Sequence, residues 1–137
     1  MARTLIVKIV TPERELFSGE GTMVVLPALD GEIGILPLHV PLVSALTYGE
    51  VRVLFDGDRN PARLAISGGY VEVSRDVVTV LAALAVPAEE VVIADTEASI
   101  EGLTEALAEA EKGSADAERF DSDLTWARTQ LTVAGRL

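Results

Sequence analysis

The residues best suited to chemistry are few, and they cluster around the single histidine of the chain. His39 lies between Pro37 and Pro41, and Asp30 and Glu32 precede it closely. One imidazole with two carboxylates could act as an acid-base pair or contribute to a metal site. No residue near His39 has the setting of an activated nucleophile, so a structural or interface role is favoured over a catalytic one.

Other short motifs that resemble ligand-binding or catalytic sites are incomplete. The run Asp56–Asp58 resembles the start of a calcium loop, but Pro61 stands where glycine is required. Ser67–Gly69 lacks the earlier glycine of a nucleophile elbow, and the chain has neither a Gly-Lys-Ser/Thr motif nor a cysteine. We therefore predict no catalytic residue, no metal site and no bound cofactor.

The composition is typical of a globular protein that does not bind nucleic acid. Apolar residues make up 49% of the 137 residues and charged residues 24%, which suffices for a core and a soluble surface. The net charge of −11 would repel a phosphate backbone. The N-terminus lacks the apolar run of a signal peptide, and no apolar run approaches the roughly 20 residues of a membrane span. We expect membrane association only through a partner.

The chain changes character near Pro87. Residues 1–86 carry 7 basic and 10 acidic side chains, whereas residues 87–137 carry 4 basic and 12 acidic ones. The hydrophobic period changes at the same place, from two residues to between three and four. We therefore predict two parts, a β-rich domain over residues 1–86 and a two-helix hairpin over residues 87–137.

The first part has the pattern of short strands that face a core on one side. Leu5, Val7 and Ile9 alternate with their neighbours, and later runs rich in Val, Ile and Leu are four to six residues long. Turn residues such as Arg75–Asp76 separate the runs. Many short strands at close spacing predict a sandwich or a barrel. The predicted strands are Leu5–Val10, Met23–Leu26, Glu50–Phe55, Ala62–Ser67, Tyr70–Ser74 and Val77–Leu81.

The second part has the pattern of two amphipathic helices. One apolar stripe runs over Ile100–Ala110 and another over Phe120–Ala134. Glu111–Ser114 is short enough to fold the helices into an antiparallel hairpin, with Ser114 as an N-cap and Gly135 as a C-cap. An isolated pair would be marginally stable, so the stripes must face each other, the β-rich part or a partner, and we expect the hairpin to be mobile.

The outer faces of the helices carry an unusual pattern of charge. Acidic residues recur at every fourth position of the first helix, so that like charges stack along one face. We interpret this face as solvated, with docking on a basic surface as the alternative. Arg119 and Arg128 on the second helix could neutralise it, and Trp126 lies about 120° from the apolar stripe, outside the hairpin and available to a partner. The acidic residues are Glu97, Glu101, Glu105 and Glu109.

Four blocks of the first part carry a family resemblance. They are Val10–Gly19, Gly31–Leu42, Gly49–Val53 and Ile66–Val73. In composition, order and spacing they resemble the epsilon subunit of F-type ATP synthases of the bacterial type. Together the blocks span most of the first part, which makes them more specific than any single motif.

The resemblance implies a fold, a function and an interface. The fold is an antiparallel β-sandwich of about ten strands followed by a helical hairpin. The function is that of a non-catalytic central-stalk subunit that binds gamma and rests on the c-ring, so that rotation of the ring reaches the catalytic head and drives ATP synthesis. The resemblance places Glu32, Ile33 and His39 in a loop at the interface with the ring and gamma. The protein would lie peripherally at the cytoplasmic face of the inner membrane.

The resemblance also implies a regulatory role for the hairpin. In that family the helices lie folded on the sandwich or extend along gamma, where they restrain ATP hydrolysis. Arg119, Trp126 and Arg128 are then the expected contacts, with the alpha and beta subunits among the partners. Relatives that inhibit strongly have a basic second helix that meets an acidic loop of the catalytic subunit. Here the second helix has Arg119, Arg128 and Arg136 but also four acidic residues, so we expect only weak inhibition.

One departure from the family concerns nucleotide binding. Relatives that bind ATP have an Ile-Asp-x-x-Arg-Ala segment at the start of the first helix. The matching stretch here, Val91–Thr96, has Val92 in place of the Asp and Asp95 in place of the Arg. The lost cation removes a partner for phosphate. We therefore predict weak ATP binding or none.

The residues alone leave two other functions open. One is a free-standing β-sandwich adaptor that binds some other protein through its acidic hairpin. The other is a small enzyme that uses His39 with Glu32 or Asp30, which the missing nucleophile and metal ligands disfavour.

Overall fold

The computed structural model describes residues 3–135, which form eight strands, one short 3₁₀ helix and two α-helices. The strands come first and the helices follow, as the change of period near Pro87 predicts. The strands are β1 (Leu5–Val10), β2 (Glu15–Gly21), β3 (Met23–Ala28), β4 (Gly31–Ile35), β5 (Leu42–Leu54), β6 (Ala62–Ser74), β7 (Val77–Ala82) and β8 (Ala85–Pro87). The 3₁₀ helix is Ala88–Glu90, and the α-helices are α1 (Ile93–Glu109) and α2 (Ala115–Ala134).

The strands form one continuous hydrogen-bonded sheet in the order β2-β1-β7-β6-β5-β3-β4. β7 and β8 lie end to end along the two halves of β6. The pairs are antiparallel as predicted, except that β1 runs parallel to β7. Eight strands are present where about ten were expected, because β5 and β6 are each 13 residues long. The predicted strands Ala62–Ser67 and Tyr70–Ser74 are the two halves of β6.

β6 crosses from one layer of the sandwich to the other at a pair of glycines. Before this pair the residues of β6 that enter the sandwich core are Leu64 and Ile66, and after it they are Val71 and Val73, so the face that points into this core changes from even to odd positions. Gly68 and Gly69 have φ of 104° and 143°, which other residues rarely adopt. A Cβ on Gly69 would clash with the adjacent strand β7. The glycine pair therefore makes the bend that lets one sheet form two layers.

The core lies between the two layers and is built from alternating apolar side chains. Leu5, Val7 and Ile9 are fully buried, which confirms the predicted inward face of β1. The same core includes side chains from β3, β4, β5, β6 and β7. Several such residues, each worth about 1.5–3 kcal/mol when fully buried, make this core the main source of stability.

The two helices form the predicted antiparallel hairpin. The Ser114 hydroxyl accepts a hydrogen bond from the Ala117 amide at 3.1 Å, which confirms the N-cap of α2. Gly135 follows the last helical residue, and its amide donates to the Leu131 carbonyl at 2.9 Å. α1 packs on α2, and α2 in turn packs on β5, β6 and the 3₁₀ helix. Within residues 3–135, no helix is long and apolar enough to cross a membrane.

Candidate interaction surfaces

The end of the sandwich between β4 and β5 carries an apolar loop, Leu36–Pro41. The amide of His39 donates to the Leu36 carbonyl at 3.2 Å, which closes a turn over Leu36–His39. Nδ1 of His39 lies 2.7 Å from the carbonyl oxygen of Val40. Leu36 is 54% exposed, and Leu38 and Val40 are each 70% exposed. An ordered loop that presents three apolar side chains to solvent is typical of a contact surface.

The hairpin turn between β6 and β7 is tied to this loop. The amide of Leu38 donates to Oδ1 of Asp76 at 2.7 Å, and Oδ2 of Asp76 lies 3.3 Å from Nε of Arg3. The carbonyl of Asp76 also accepts a hydrogen bond from the Ile6 amide at 2.8 Å. Asp76 thus links the loop to β1 and to the β6–β7 turn. Sequence reasoning identified Arg75–Asp76 only as a turn.

Glu32 and Ile33 lie on strand β4 and not in a loop, which corrects the predicted local structure. The pattern missed β4 because two of its five residues are glycine and it offers little alternation. Glu32 is exposed, with Oε2 3.9 Å from Nη1 of Arg52, whereas Ile33 packs partly against the core. The contacts of Glu32 lead to β5, and those of His39 stay within its own loop, so the structure does not join them as an acid-base pair.

A buried carboxylate lies on the outer face of β5, beneath the hairpin. Oε1 of Glu50 is 3.3 Å from Nη1 of Arg52 and 3.1 Å from Nη1 of Arg63, and Glu50 is only 3% exposed. Glu50 and Arg128 of α2 line the same cleft of about 390 Å³. Sequence reasoning missed this cluster. The signal was available, because Glu50, Arg52 and Arg63 occupy outward positions of strands whose alternate residues are apolar.

A second exposed apolar strip crosses three strands on the outer face of the other layer. Val43 on β5, Tyr70 on β6 and Leu81 on β7 are 72%, 60% and 53% exposed. Tyr70 is the cross-strand partner of Leu81, while their neighbours Val71 and Val80 point into the core. We call this set the β-face strip. Its side chains lie on a sheet face that α2 leaves uncovered.

The residues predicted on α2 have different environments. Trp126 lies outside the hairpin as predicted, yet it is not free for a partner in this arrangement, because it packs against Ala65, Ala88 and Val133. Arg119 pairs with Asp116 at 3.3 Å, one turn away on the same exposed helix face. Arg128 is exposed beside the cleft with Glu50. Arg136 lies outside the described residues.

The acidic stripe of α1 faces solvent, as predicted. All four of its glutamates are exposed, and among the ion pairs of residues 3–135 none joins this stripe to Arg119 or Arg128. Within α1, all of which is described, no residue is buried. Within the described chain, no group of three or more His, Cys, Asp and Glu residues is placed to hold a metal ion.

The chain is a small β-sandwich with a helical hairpin and exposed apolar surfaces, and comparison with known proteins identifies its class. Residues 4–88 match the family described as ATP synthase, Delta/Epsilon chain, beta-sandwich domain. The ATP synthase epsilon chain of Halalkalibacterium halodurans is 37% identical over 133 residues, which cover 97% of this chain and 98% of that one. The epsilon chain of Thioalkalivibrio sulfidiphilus is 38% identical over 100% of this chain and 96% of that one.

A solved structure has the same fold. A chain in the Euglena gracilis mitochondrial ATP synthase structure of OSCP, F1 and c-ring superposes with a TM-score of 0.77 at 20% identity, over 98% of this chain and 82% of that one. The chain belongs to the ATP synthase epsilon chain family. It is therefore a non-catalytic subunit of the rotor stalk. Membership decides against the free-standing adaptor and the small enzyme.

Proposed function

We propose that the Leu36–Pro41 end of the sandwich rests on the c-ring and that the β-face strip binds gamma. Through these two contacts the subunit would transmit rotation of the ring to the catalytic head, at the cytoplasmic face of the inner membrane. The observation that carries the proposal is the apolar loop, with Leu38 and Val40 each 70% exposed. Burial of these side chains against a partner is favourable at about 25 cal/mol per Å².

The proposed ring contact can be tested by cross-linking, because the chain has no cysteine of its own. His39→Cys, labelled at its thiol with a short photoactivatable cross-linker, should cross-link to the c-ring in the assembled complex. Glu105→Cys, on the exposed outer face of α1, is the matched control and should not cross-link to the ring. Glu32→Cys tests whether β4 belongs to the same interface. Absence of any cross-link from His39→Cys in an intact complex would contradict the proposal.

The gamma contact is tested by charge substitution in the β-face strip. Leu81→Glu changes a 53% exposed side chain and leaves the core untouched, so the free subunit should fold normally. A buried, unpaired carboxylate at an interface is costly, and binding to gamma should fall at least tenfold. Asn60→Glu, at an exposed position between β5 and β6, is the control for added charge outside the strip. If Leu81→Glu binds gamma as tightly as the parent does, gamma must bind another face of the subunit.

The hairpin is proposed to act as a weak regulator of ATP hydrolysis. Folded on the sandwich, it contacts β5, β6 and the 3₁₀ helix chiefly through α2, a limited contact that favours release of the hairpin. Its acidic outer faces would be repelled by an acidic catalytic surface, at a cost of about 1 kcal/mol or less per contact. Removal of the residues after Glu90 from the assembled complex should raise ATP hydrolysis less than about tenfold. A larger rise would show that apolar contacts outweigh the charge.

A further inference from the structure

Leu38 has a backbone conformation that its own side chain does not stabilise. Its φ is 69°, and it occupies the third position of the turn closed by the His39 amide and the Leu36 carbonyl. Turns with positive φ at this position favour glycine or asparagine, and a leucine there is strained. The side chain is 70% exposed, so burial within the chain does not compensate for the strain.

The stabilising contact comes from the turn between β6 and β7. Oδ1 of Asp76 accepts the Leu38 amide at 2.7 Å, a charge-assisted hydrogen bond and therefore a strong one. The carboxylate is itself well anchored. Its other oxygen lies 3.3 Å from Nε of Arg3, and the backbone of Asp76 is bonded to Ile6 of β1. The β6–β7 turn thus provides a fixed acceptor for a strained amide in the apolar loop.

We infer that Asp76 is a positioning residue, which holds Leu38 in its strained conformation so that the Leu36–Val40 turn meets the rotor partner already ordered. A loop ordered before binding loses less entropy when it binds, and so binds more tightly for the same contacts. The inference rests on the proposed contact of this loop with the ring. It adds a residue outside the loop, which acts through the Leu38 amide.

The test uses Asp76→Gly in the full chain. Asp76 has φ of 63°, which glycine adopts freely, so this substitution removes the carboxylate and keeps the β6–β7 turn. Arg3→Gln is the matched control, because it removes the other partner of the carboxylate and leaves the Leu38 bond. Hydrogen exchange of the Leu38 amide should become about tenfold faster or more in Asp76→Gly. It should change little in Arg3→Gln, and the melting temperature of both should stay within about 5 °C of the parent.

The functional arm is the cross-link from His39→Cys in the assembled complex. Asp76→Gly should lower its yield at least threefold, and a further Leu38→Asn, which tolerates positive φ, should restore most of it. Unchanged hydrogen exchange of the Leu38 amide would contradict the inference that Asp76 orders the loop, whatever the cross-link yield. Faster exchange with an unchanged cross-link would overturn its role in presentation. If the parent itself gives no cross-link, the ring contact fails, while the exchange result still decides whether Asp76 orders the loop.

Discussion

The sandwich and the hairpin of this chain are stabilised in different ways. The sandwich encloses a core in which side chains from six strands are almost wholly buried. The hairpin has no core of its own, since α1 buries no residue and α2 buries four, namely Leu124, Ala127, Val133 and Ala134. The hairpin meets the sandwich through a small cluster, Ala65, Ala88 and Val133 with Trp126. A rigid body thus carries a helical element whose attachment depends on few contacts.

The difference suggests a division of labour between the two parts. A subunit that transmits rotation needs a part that does not deform, and a densely packed sandwich meets this need. A regulatory element needs two arrangements of similar free energy, and a hairpin with a small contact area can have them. Whether residues 1–86 fold alone remains a prediction. The structure favours a boundary slightly later, because Ala88 is buried against the sandwich.

The comparison is tested most strongly by the same substitution in both parts. Leu26 is fully buried in the core of the sandwich, so Leu26→Ala should lower the free energy of unfolding by about 2–5 kcal/mol. Leu107 of α1 is only half-buried, and Leu107→Ala should lower the free energy of unfolding by about 1 kcal/mol. Urea unfolding followed by far-ultraviolet circular dichroism measures both. Equal costs would contradict the difference in packing between the sandwich and the hairpin.

The sequence predicted the faces of the elements better than their connections. Alternation in β1 and the spacing of Phe120–Ala134 identified inward residues correctly, since burial imposes its period on the sequence. The passage of β6 between layers was not predictable in the same way. The pair Gly68–Gly69 indicated a bend, but nothing local showed that the strand continues beyond it. β2 was missed because its glycine-rich sequence ELFSGEG lacks clear alternation.

A second test separates attachment of the hairpin from its formation. Trp126 packs against Ala65 and Ala88 where α2 meets the sandwich, so Trp126→Ala should weaken docking by about 2 kcal/mol and leave the sandwich intact. Hydrogen exchange should accelerate in α2 and in the 3₁₀ helix, with little change in β1 and β7. Trp126→Phe retains much of the apolar area and is the control. Unaltered protection of α2 would show that other contacts hold the hairpin.

The docking face of α2 could be read only in part from the sequence. The apolar stripe predicted one buried face, which α1 covers, and Trp126 was assigned to a partner because it lay off that stripe. The sequence evidence that the hairpin docks on the sandwich lay in β6, where Leu64, Ala65 and Ile66 are three apolar residues in succession. A strand buried on both faces has this pattern, and Ala65 is indeed covered by the hairpin. Local periodicity shows that each segment has an apolar face, but it cannot show that these two distant segments pack against each other.

A smaller effect is expected at the cap of α2. The Ser114 hydroxyl satisfies the Ala117 amide, and Ser114→Ala should lower the stability of the hairpin by about 1 kcal/mol. Because α2 attaches the hairpin to the sandwich, exchange should rise throughout both helices and not in the strands. Ser114→Asp keeps an oxygen acceptor at the same place and should exchange as the parent does. A loss of protection in the sandwich as well would indicate tighter coupling than the comparison implies.

The smallest expected effect is that of ATP on the isolated chain. Asp95 lies in the first turn of α1, where the family resemblance places a phosphate-binding arginine, and a carboxylate there repels the ligand. Trp126 is the only tryptophan and packs where α2 meets the sandwich, so its fluorescence reports closure of the hairpin on a ligand. Low millimolar ATP should leave this fluorescence and the melting temperature unchanged. Asp95→Arg should give a weak saturable response.

Arg128, beside the cleft between β5 and α2, is the cation best placed to take the role of the missing phosphate-binding arginine. Binding by the parent that Arg128→Ala abolishes would therefore show that the hairpin responds to nucleotide after all, through a different residue.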